Sequence, residues 1–256
     1  MELECIIYEK HEAVAVIKLN RPRVLNAMNK QLWLDLMAAL EQAEADEEVK
    51  VVIITGEGRA FSTGADLKDS KHRTPEEYRE YLERLQEASL KIINYPKPTI
   101  AAINGYALGS GYELALACDI RLAARDALIG SPEARVTSSV TGGAFRLVQN
   151  LVGPGKAREL LFTAEYIDGL EAERIGLVNR AVAGPRLMEE AMAMAQKIAA
   201  NSMISLRKIK QGLNLALEPV DMKELMAFEV EACLECVFSA DRKRSLEEFE
   251  QRKKRG

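Results

Sequence analysis

Two glutamates stand in segments that could place them beside a ligand. Glu113 lies in residues 104–119, where a glycine-rich turn precedes a short and very apolar helix. Glu133 follows Pro132 and has apolar residues nearby. Carboxylates are common general acids and bases, and two close carboxylates resist ionising together, so that one holds its proton more tightly. Such a pair could move protons to and from a substrate.

Both glutamates also have structural explanations. Ser110-x-x-Glu113 matches a capping box, in which the Glu113 carboxylate would accept from the backbone N–H of Ser110. Taken by itself, this segment favours the capping box. Glu133 could be either a solvated loop carboxylate or a catalytic group. The residue types alone favour the solvated carboxylate.

Backbone N–H groups offer a second kind of chemistry. Those at the start of the helix near Ser110 have no intrahelical partner and suit an oxyanion, because they are in place before charge develops. Residues 60–68 follow a β-branched run, and the small residues at 62–65 would let the backbone approach a ligand closely. Taken alone, residues 60–68 are better explained as a tight strand-to-helix turn capped by Asp66.

Other catalytic classes lack their motifs. The glycine pattern at 109–111 has Leu114 where a dinucleotide fingerprint needs its third glycine. Ser110 lacks the spacing of a hydrolase nucleophile, and the two histidines, His11 and His72, lie in charged stretches. Cys233-x-x-Cys236 is a lone pair within a helical pattern, so we predict no metal site and expect the four cysteines to be buried and reduced.

The composition is that of an ordinary globular protein. Of 256 residues, 48% are hydrophobic and 29% are charged, and the formal charge of −4 disfavours a nucleic acid or an anionic membrane as the main partner. No apolar stretch approaches the ~20 residues needed to cross a bilayer, and the start of the chain lacks the pattern of a secretion signal. These features favour a cytoplasmic protein without membrane contact.

Strands and helices alternate through the first 150 residues, which predicts an α/β fold. Residues 5–8 and 13–19 are typical of a hairpin, and Thr74-Pro75-Glu76-Glu77 carries the N-cap, proline and capping-box signals of a helix that runs to about residue 95. From about residue 185 the pattern is helical only. Further elements are expected at residues 32–40 (helix), 51–55 (strand), 99–103 (strand) and from Ala144 (helix).

In this order, the motifs resemble the crotonase (enoyl-CoA hydratase/isomerase) superfamily, and are most similar to its hydratases. The motifs that carry the resemblance lie at residues 20–27 (NRPRVLNA), 61–68 (FSTGADLK), 104–113 (NGYALGSGYE), 132–133 (PE) and 163–182. The resemblance implies an α/β spiral of ββα units in residues 1–185. It also implies a helical region in residues 186–256 that assembles homotrimers or hexamers.

The resemblance also assigns roles to residues. It implies that the N–H groups of Ala65 and Ser110 bind the oxygen of a thioester. Family hydratases carry two glutamates twenty residues apart, as Glu113 and Glu133 are here, whereas isomerases generally keep only the second. Glu133 would be the principal acid/base at the α-carbon (Cα) of the acyl group of this thioester, and Glu113 would help to position and deprotonate water.

Coenzyme A would enter as part of an acyl-CoA substrate, with no separate cofactor. Phe249 and Arg252 resemble an element that reaches the nucleotide of an adjacent subunit, although a solvated basic tail at 252–255 is a nearly equal alternative. The other residues implied to lie along coenzyme A are Arg23, Val24, Leu25, Ala27, Thr63, Asp66, Leu67, Lys68 and Tyr106.

The function this predicts is hydration of the 2,3 double bond of an enoyl-CoA to give a 3-hydroxyacyl-CoA. An isomerase or hydratase/lyase on the same scaffold is the nearest alternative, and an RNA-binding relative is the alternative from another class. Residues 138–143 depart from the family by lacking the proline of its Pro-Gly-x-Gly-Gly run and by being one residue shorter. We expect this departure to affect the acyl group more than the reaction.

Overall fold

A computed structural model describes residues 3–66, 68, 73–244 and 246–247. The chain opens with the antiparallel hairpin predicted from the sequence, in which Ile6 pairs with Leu19. The strands are β1 Ile6–His11, β2 Val14–Leu19, β3 Val51–Gly56, β4 Ala60–Ser62, β5 Thr99–Ile103, β6 Tyr106–Leu108, β7 Ile120–Ala124, β8 Leu128–Gly130, β9 Ile167–Asp168 and β10 Arg180–Val182.

These strands form two sheets. The larger has the order β1-β2-β3-β5-β7-β10, and its pairings are parallel after the first hairpin. The smaller has the order β4-β6-β8-β9 and is parallel except for its last pair. The helices, in chain order, are α1 Lys30–Ala45, α2 Pro75–Ile93, α3 Ser110–Ala117, α4 Ala144–Thr163, α5 Gly169–Arg174, α6 Leu187–Ala199, α7 Met203–Leu215 and α8 Met222–Val237.

One unit recurs along the chain: a strand of the larger sheet, a short strand of the smaller sheet, then a helix. β3 and β4 lead to α2, and β5 and β6 lead to α3. β7 and β8 lead to the 3-10 helix Glu133–Val136 and then to α4. This repetition confirms the predicted α/β spiral of ββα units. The site is built at the start of α3, which residues from neighbouring turns of the spiral contact.

The core lies on both faces of the larger sheet. Successive residues of β3 point to opposite faces, so Val52 and Ile54 pack with α1 while Val51 and Ile53 pack with α6. Because both faces are covered, β3 is an almost continuous apolar strand. α6 thus packs directly on the sheet, and the division of the chain at residue 185 stays a prediction.

The last two helices, α7 and α8, are less deeply buried than α6. α7 is attached to the core by Lys210, whose Nζ lies 2.8 Å from Oδ2 of Asp119, and by Asn214, which donates to the carbonyl of Ile93. α8 packs on α7, and every residue of α8 is at least partly exposed. The expectation that all four cysteines are buried is therefore wrong: Cys5 and Cys118 are buried, but Cys233 on α8 is exposed and Cys236 is partly exposed.

The predicted start of α2 is confirmed by a complete capping box between Thr74 and Glu77. The helix ends at Ile93, two residues before the predicted end, and Asn94 forms its C-cap. Pro96 follows shortly and disfavours helical backbone in the residue before it. Among the described residues, no helix is long and apolar enough to span a membrane.

Candidate active site

The start of α3 forms one wall of the site. Gly109 is the N-cap at φ 53° and ψ −124°, a backbone conformation that favours glycine, and its N–H donates to the carbonyl of Gly130 at 3.2 Å. The N–H of Ser110 is one of the donors that a helix start leaves without an intrahelical partner. Ser110 itself has a negative φ, as expected for the residue that replaces a family glycine. All eight residues of α3 are buried, so this helix start is held rigidly.

A second backbone amide approaches the same helix start. Residues 62–66 run beside the 21–28 loop, since the N–H of Met28 donates to Gly64 at 2.8 Å and the N–H of Asp66 donates to Met28 at 3.1 Å. This pairing leaves the N–H of Ala65 on the opposite side of the chain. A Cβ built on Gly64 would lie 2.7 Å from the carbonyl oxygen of Leu108 and 3.2 Å from the nitrogen of Ser110, and its φ is +90°, so glycine is required for this approach. The structure thus brings the Ala65 and Ser110 segments into contact.

Glu113 is held by a loop from elsewhere in the chain. Its Oε1 accepts from the backbone N–H of Thr141 at 2.5 Å, and its Oε2 accepts from the Thr141 hydroxyl at 2.8 Å. The side chain does not form a capping box, because Gly109 is the N-cap and the helix start has no side-chain cap. Glu113 is only 5% exposed. The N–H of Ser110 is therefore left available to another acceptor.

Opposing effects act on the pKa of Glu113. Burial raises the pKa, because it penalises the charged carboxylate. The backbone and side-chain hydrogen bonds from Thr141 act in the opposite direction, and the nearby charge of Glu133 raises the pKa further. The net result is a pKa above that of an ordinary glutamate. Such a shift is typical of a carboxyl group that exchanges protons during a reaction.

Glu133 faces the same helix start from a different element. It is the first residue of the 3-10 helix Glu133–Val136 and is partly buried. The hydroxyl of Ser131 donates to its Oε2. A Cβ built on Gly109 would lie 2.8 Å from Oε1, so this oxygen sits directly beside the residue that precedes Ser110. The two glutamates and the two amide segments therefore meet at the N-terminus of α3.

The loops predicted to border coenzyme A also meet. Thr63 donates its N–H and its hydroxyl to the carbonyl of Leu25, at 3.1 and 3.3 Å. Arg21 donates to Oδ2 of Asp66 at 2.9 Å, which ties the two loops together. Arg23 and Val24 are exposed beside them in the 3-10 helix Pro22–Val24, while Leu25 and Ala27 are partly exposed.

The remaining predicted binding residues are more scattered. Lys68 is exposed, and its N–H donates to Oδ1 of Asp66 at 3.1 Å. Tyr106 lies at the start of β6, where it pairs with Ala60 and is partly buried. Leu67, Phe249 and Arg252 lie outside the described residues, so their predicted roles stay predictions.

Sequence reasoning missed the residues that hold the two glutamates. Thr141 binds both oxygens of Glu113 across 28 positions of the chain, and no local pattern indicates such a contact. The one available signal was the departure at residues 138–143, where Thr141 precedes the glycine pair. Ser131, two residues before Glu133, could have been found from its proximity in the sequence.

Replacing Thr141 with valine is expected to raise the pKa of Glu113 further, because the variant loses the hydroxyl bond but keeps the backbone one. If the ionised Glu113 is the active form, the acid limb of the pH profile moves to higher pH. We expect kcat to fall about tenfold near that limb, as for the loss of one hydrogen bond to a charged group. Thr141→Ser keeps the hydroxyl and should match the wild type; an unchanged profile in Thr141→Val would contradict this role for the hydroxyl.

Comparison with known proteins agrees with the geometry. The family model described as enoyl-CoA hydratase/isomerase matches residues 9–255. The short-chain-enoyl-CoA hydratase of Clostridium acetobutylicum is 38% identical over 99% of this chain and 97% of its own. The crotonyl-CoA hydratase of Syntrophomonas wolfei is 37% identical over 99% of this chain and 98% of its own. The crystal structure of an enoyl-CoA hydratase from Bacillus anthracis superposes with a TM-score of 0.93 at 34% identity, covering 97% of both chains.

The repeated ββα turns, together with a helix start that faces two carboxylates, define an enzyme of the crotonase class. The chain belongs to the enoyl-CoA hydratase/isomerase family, since the family model and the relatives cover nearly all of it. The resemblance found in the sequence is thereby confirmed.

Proposed function

We propose that this enzyme is a hydro-lyase that adds water across the 2,3 double bond of a short-chain 2-enoyl-CoA to give the 3-hydroxyacyl-CoA. The observation that carries the assignment is the pairing of Glu113, bonded at both oxygens by Thr141, with Glu133 beside Gly109. A family isomerase would generally lack the first of these acids. The preference for short chains rests on the names of the two relatives described above.

The thioester oxygen binds the N–H groups of Ala65 and Ser110. When water attacks Cβ, negative charge collects on this oxygen as an enolate. Two amides held in place by β-bridging and by the buried α3 meet that charge without reorganising. Removal of one such donor typically costs ~3–4 kcal/mol, so the pair can account for a substantial part of the rate.

The two glutamates position the water and carry out the proton transfers. Glu113 in its ionised form accepts a hydrogen bond from the attacking water and takes up its proton as the C–O bond forms. Glu133 completes the positioning of the water and delivers the proton that it carries to Cα of the acyl group. Transfer of the water-derived proton from Glu113 to Glu133 then restores both carboxyl groups for the next turnover. Ser131 holds Oε2 of Glu133, which leaves Oε1 directed towards Gly109 and the bound thioester. The reaction needs no redox step, and coenzyme A serves only as the part of the substrate by which the enzyme binds it.

The loops at 21–28 and 62–66 supply the binding surface for coenzyme A. Their mutual hydrogen bonds fix Arg23, Val24, Leu25 and Thr63 along one edge of the site. Binding energy gained there orients the acyl group against the two amides. The formal charge of −4 favours this role over RNA binding, which would need an extended basic surface.

The function is tested with a panel of 2-enoyl-CoA thioesters, starting from crotonyl-CoA, in which loss of the conjugated double bond is followed by absorbance. We expect hydration of the four-carbon substrate and slower turnover as the chain lengthens. A parallel assay with 3-enoyl-CoA separates hydration from isomerisation. Absence of hydration on every thioester, or isomerisation alone, would overturn the assignment.

The exposed face of α8 supports self-association as a trimer or hexamer. Its apolar side chains recur every three to four residues, and Met226 and Val230 are 56% and 57% exposed. Such a stripe marks a helix that packs against another surface. The stripe consists of Met222, Met226, Val230, Leu234, Val237 and the adjacent Phe238.

Charging this stripe is expected to dissociate the assembly. We expect the wild type to have the mass of a trimer or hexamer in light scattering coupled to gel filtration, and the double variant Met226→Glu/Val230→Glu to elute as a monomer. The control Glu231→Gln changes an exposed residue of the same helix and should keep the wild-type mass. A monomeric wild type at micromolar concentration would rule out this assembly.

A further inference from the structure

Helix α2 is hydrogen-bonded through the side chain of Gln86 to the turn that holds Glu113. Oε1 of Gln86 accepts from the backbone N–H of Gly142 at 3.0 Å. Gly142 directly follows Thr141, the residue that binds both oxygens of Glu113. A continuous series of hydrogen-bonded groups thus runs from α2 to the carboxylate of Glu113.

Gly142 is wedged between α2 and α3. A Cβ built on Gly142 would lie 2.5 Å from Oγ of Ser89 and 3.7 Å from Cβ of Glu113, and its φ of +60° also favours glycine. Thr141 closes the turn by accepting from the N–H of Ala144 at 3.0 Å, where α4 begins. The turn at 141–144 is therefore confined on three sides. Its position sets where the two Thr141 donors point.

Gln86 is an important attachment because α2 is otherwise loosely packed. Only Leu85, Ala88, Ser89 and Ile92 of its 19 residues are buried. A cavity of about 460 Å³ separates part of α2 from α1, and another of about 540 Å³ lies between its C-terminal end and α7. A helix with so few buried contacts is free to shift unless specific bonds hold it.

Another residue of α2, Tyr81, lies beside the oxyanion segment at Ser110. Tyr81 lies five residues before Gln86, and its ring is covered by the guanidinium of Arg73 at 3.8 Å. Burial raises the pKa of the Tyr81 hydroxyl, and the neighbouring Ser110 hydroxyl acts in the opposite direction. Helix α2 thus borders both halves of the site, through Tyr81 at Ser110 and through Gln86 and Ser89 at Gly142.

We infer that Gln86 is a positioning residue for Glu113, acting through the amide of Gly142 and the two donors of Thr141. It touches neither the water nor the thioester in this role. Without its carbonyl oxygen, the N–H of Gly142 loses its acceptor, and the turn at 141–144 can move away from α3. The Thr141 donors then fit Glu113 less well, so the carboxylate is less well oriented and less easily ionised. This inference rests on the proposed hydration for its kinetic part only.

The test compares Gln86→Leu with the wild type. We expect kcat to fall about tenfold even at pH values where Glu113 is fully ionised, because a small misplacement of a catalytic group has effects of this order or larger. KM should change little, since the coenzyme A loops are untouched. Gln86→Glu retains an acceptor for Gly142 and should restore most of the kcat at that pH. Gln86→Asn is one methylene shorter and should resemble Gln86→Leu.

A second readout does not depend on turnover. Carbon-13 labelling of glutamate carboxyls allows the Glu113 signal to be assigned by its loss in Glu113→Gln and then titrated by NMR. We expect its pKa to be higher in Gln86→Leu than in the wild type. The matched control is Glu83→Leu, which removes an exposed polar side chain from the same helix and should alter neither kcat nor the titration.

The possible outcomes separate clearly. An unchanged Glu113 titration in a folded Gln86→Leu protein overturns the role of Gln86, as does an equal effect of Glu83→Leu. A wild type that hydrates no thioester overturns the proposed function instead, and the titration then decides the role of Gln86 by itself.

Discussion

Replacing Glu133 with glutamine is expected to lower kcat for hydration by at least about 10²-fold, in line with the usual contribution of a positioned acid or base. Glutamine has nearly the same shape and still offers an oxygen to the hydroxyl of Ser131. It cannot take up or release a proton at Cα. The variant should therefore bind the acyl-CoA normally, and KM should stay within a few-fold of the wild type.

The measurement is steady-state hydration of crotonyl-CoA, supported by thermal unfolding to show that the fold is intact. Glu173→Gln is the matched control, because Glu173 is an exposed acid on α5 whose side chain takes part in none of the described contacts of the site. It should keep full activity. A Glu133→Gln enzyme with wild-type kcat would show that another group protonates Cα.

Thermal unfolding should show little difference between these variants. Glu133 is only partly buried, and its described bond to Ser131 survives the substitution. A loss of kcat without a shift in Tm would separate a catalytic role from a structural one. A large fall in Tm would instead point to a structural role for the carboxylate.

The regular elements could be predicted because their causes are local. The hairpin at 6–19, the buried strand β3 and the capping box at Thr74 each depend on residue types within a few positions. These local patterns indicated only that strands and helices alternate, and the repeated order of strand, strand and helix was implied by the family resemblance. Boundaries were less certain, as the two-residue difference at the end of α2 shows.

The site was harder to predict because its contacts are distant in the chain. The local pattern at Ser110 and Glu113 favoured a capping box, and this local interpretation is wrong. Glu113 finds better donors in Thr141, which the fold brings beside it and which satisfies both carboxylate oxygens. A tertiary contact with two hydrogen bonds overrides a local one. The family resemblance supplied what the local pattern lacked.

The exposed side chain of Cys233 shows a second limit of prediction from the sequence. Its helix has an apolar stripe, which predicts burial, but the stripe faces away from the core of its own chain. Hydrophobic periodicity indicates that a face is covered without telling which chain covers it. The proposed self-association of α8 would account for this stripe.

Replacing Glu113 with glutamine is expected to lower kcat by about 10²- to 10³-fold and to abolish the acid limb of its pH profile. Glu113 must be ionised to accept a proton from water, so activity should fall as the pH drops through its pKa. Burial raises that pKa, which places the limb above the range of an ordinary glutamate. The variant has no such carboxyl group, so its residual rate should be independent of pH there. An acid limb that persists in Glu113→Gln would assign it to another group.

The double variant Glu113→Gln/Glu133→Gln tests whether the two acids act as one unit. If both serve the same water and the same proton transfer, removing the second should cost little once the first is gone, as is found when catalytic groups cooperate. We therefore expect a kcat within about tenfold of the slower single variant. Losses that multiply in full would mean that the two carboxylates act in separate steps. The charge of Glu133 raises the pKa of Glu113, which favours the cooperative result because the protonation of Glu113 then depends on the charge at Glu133.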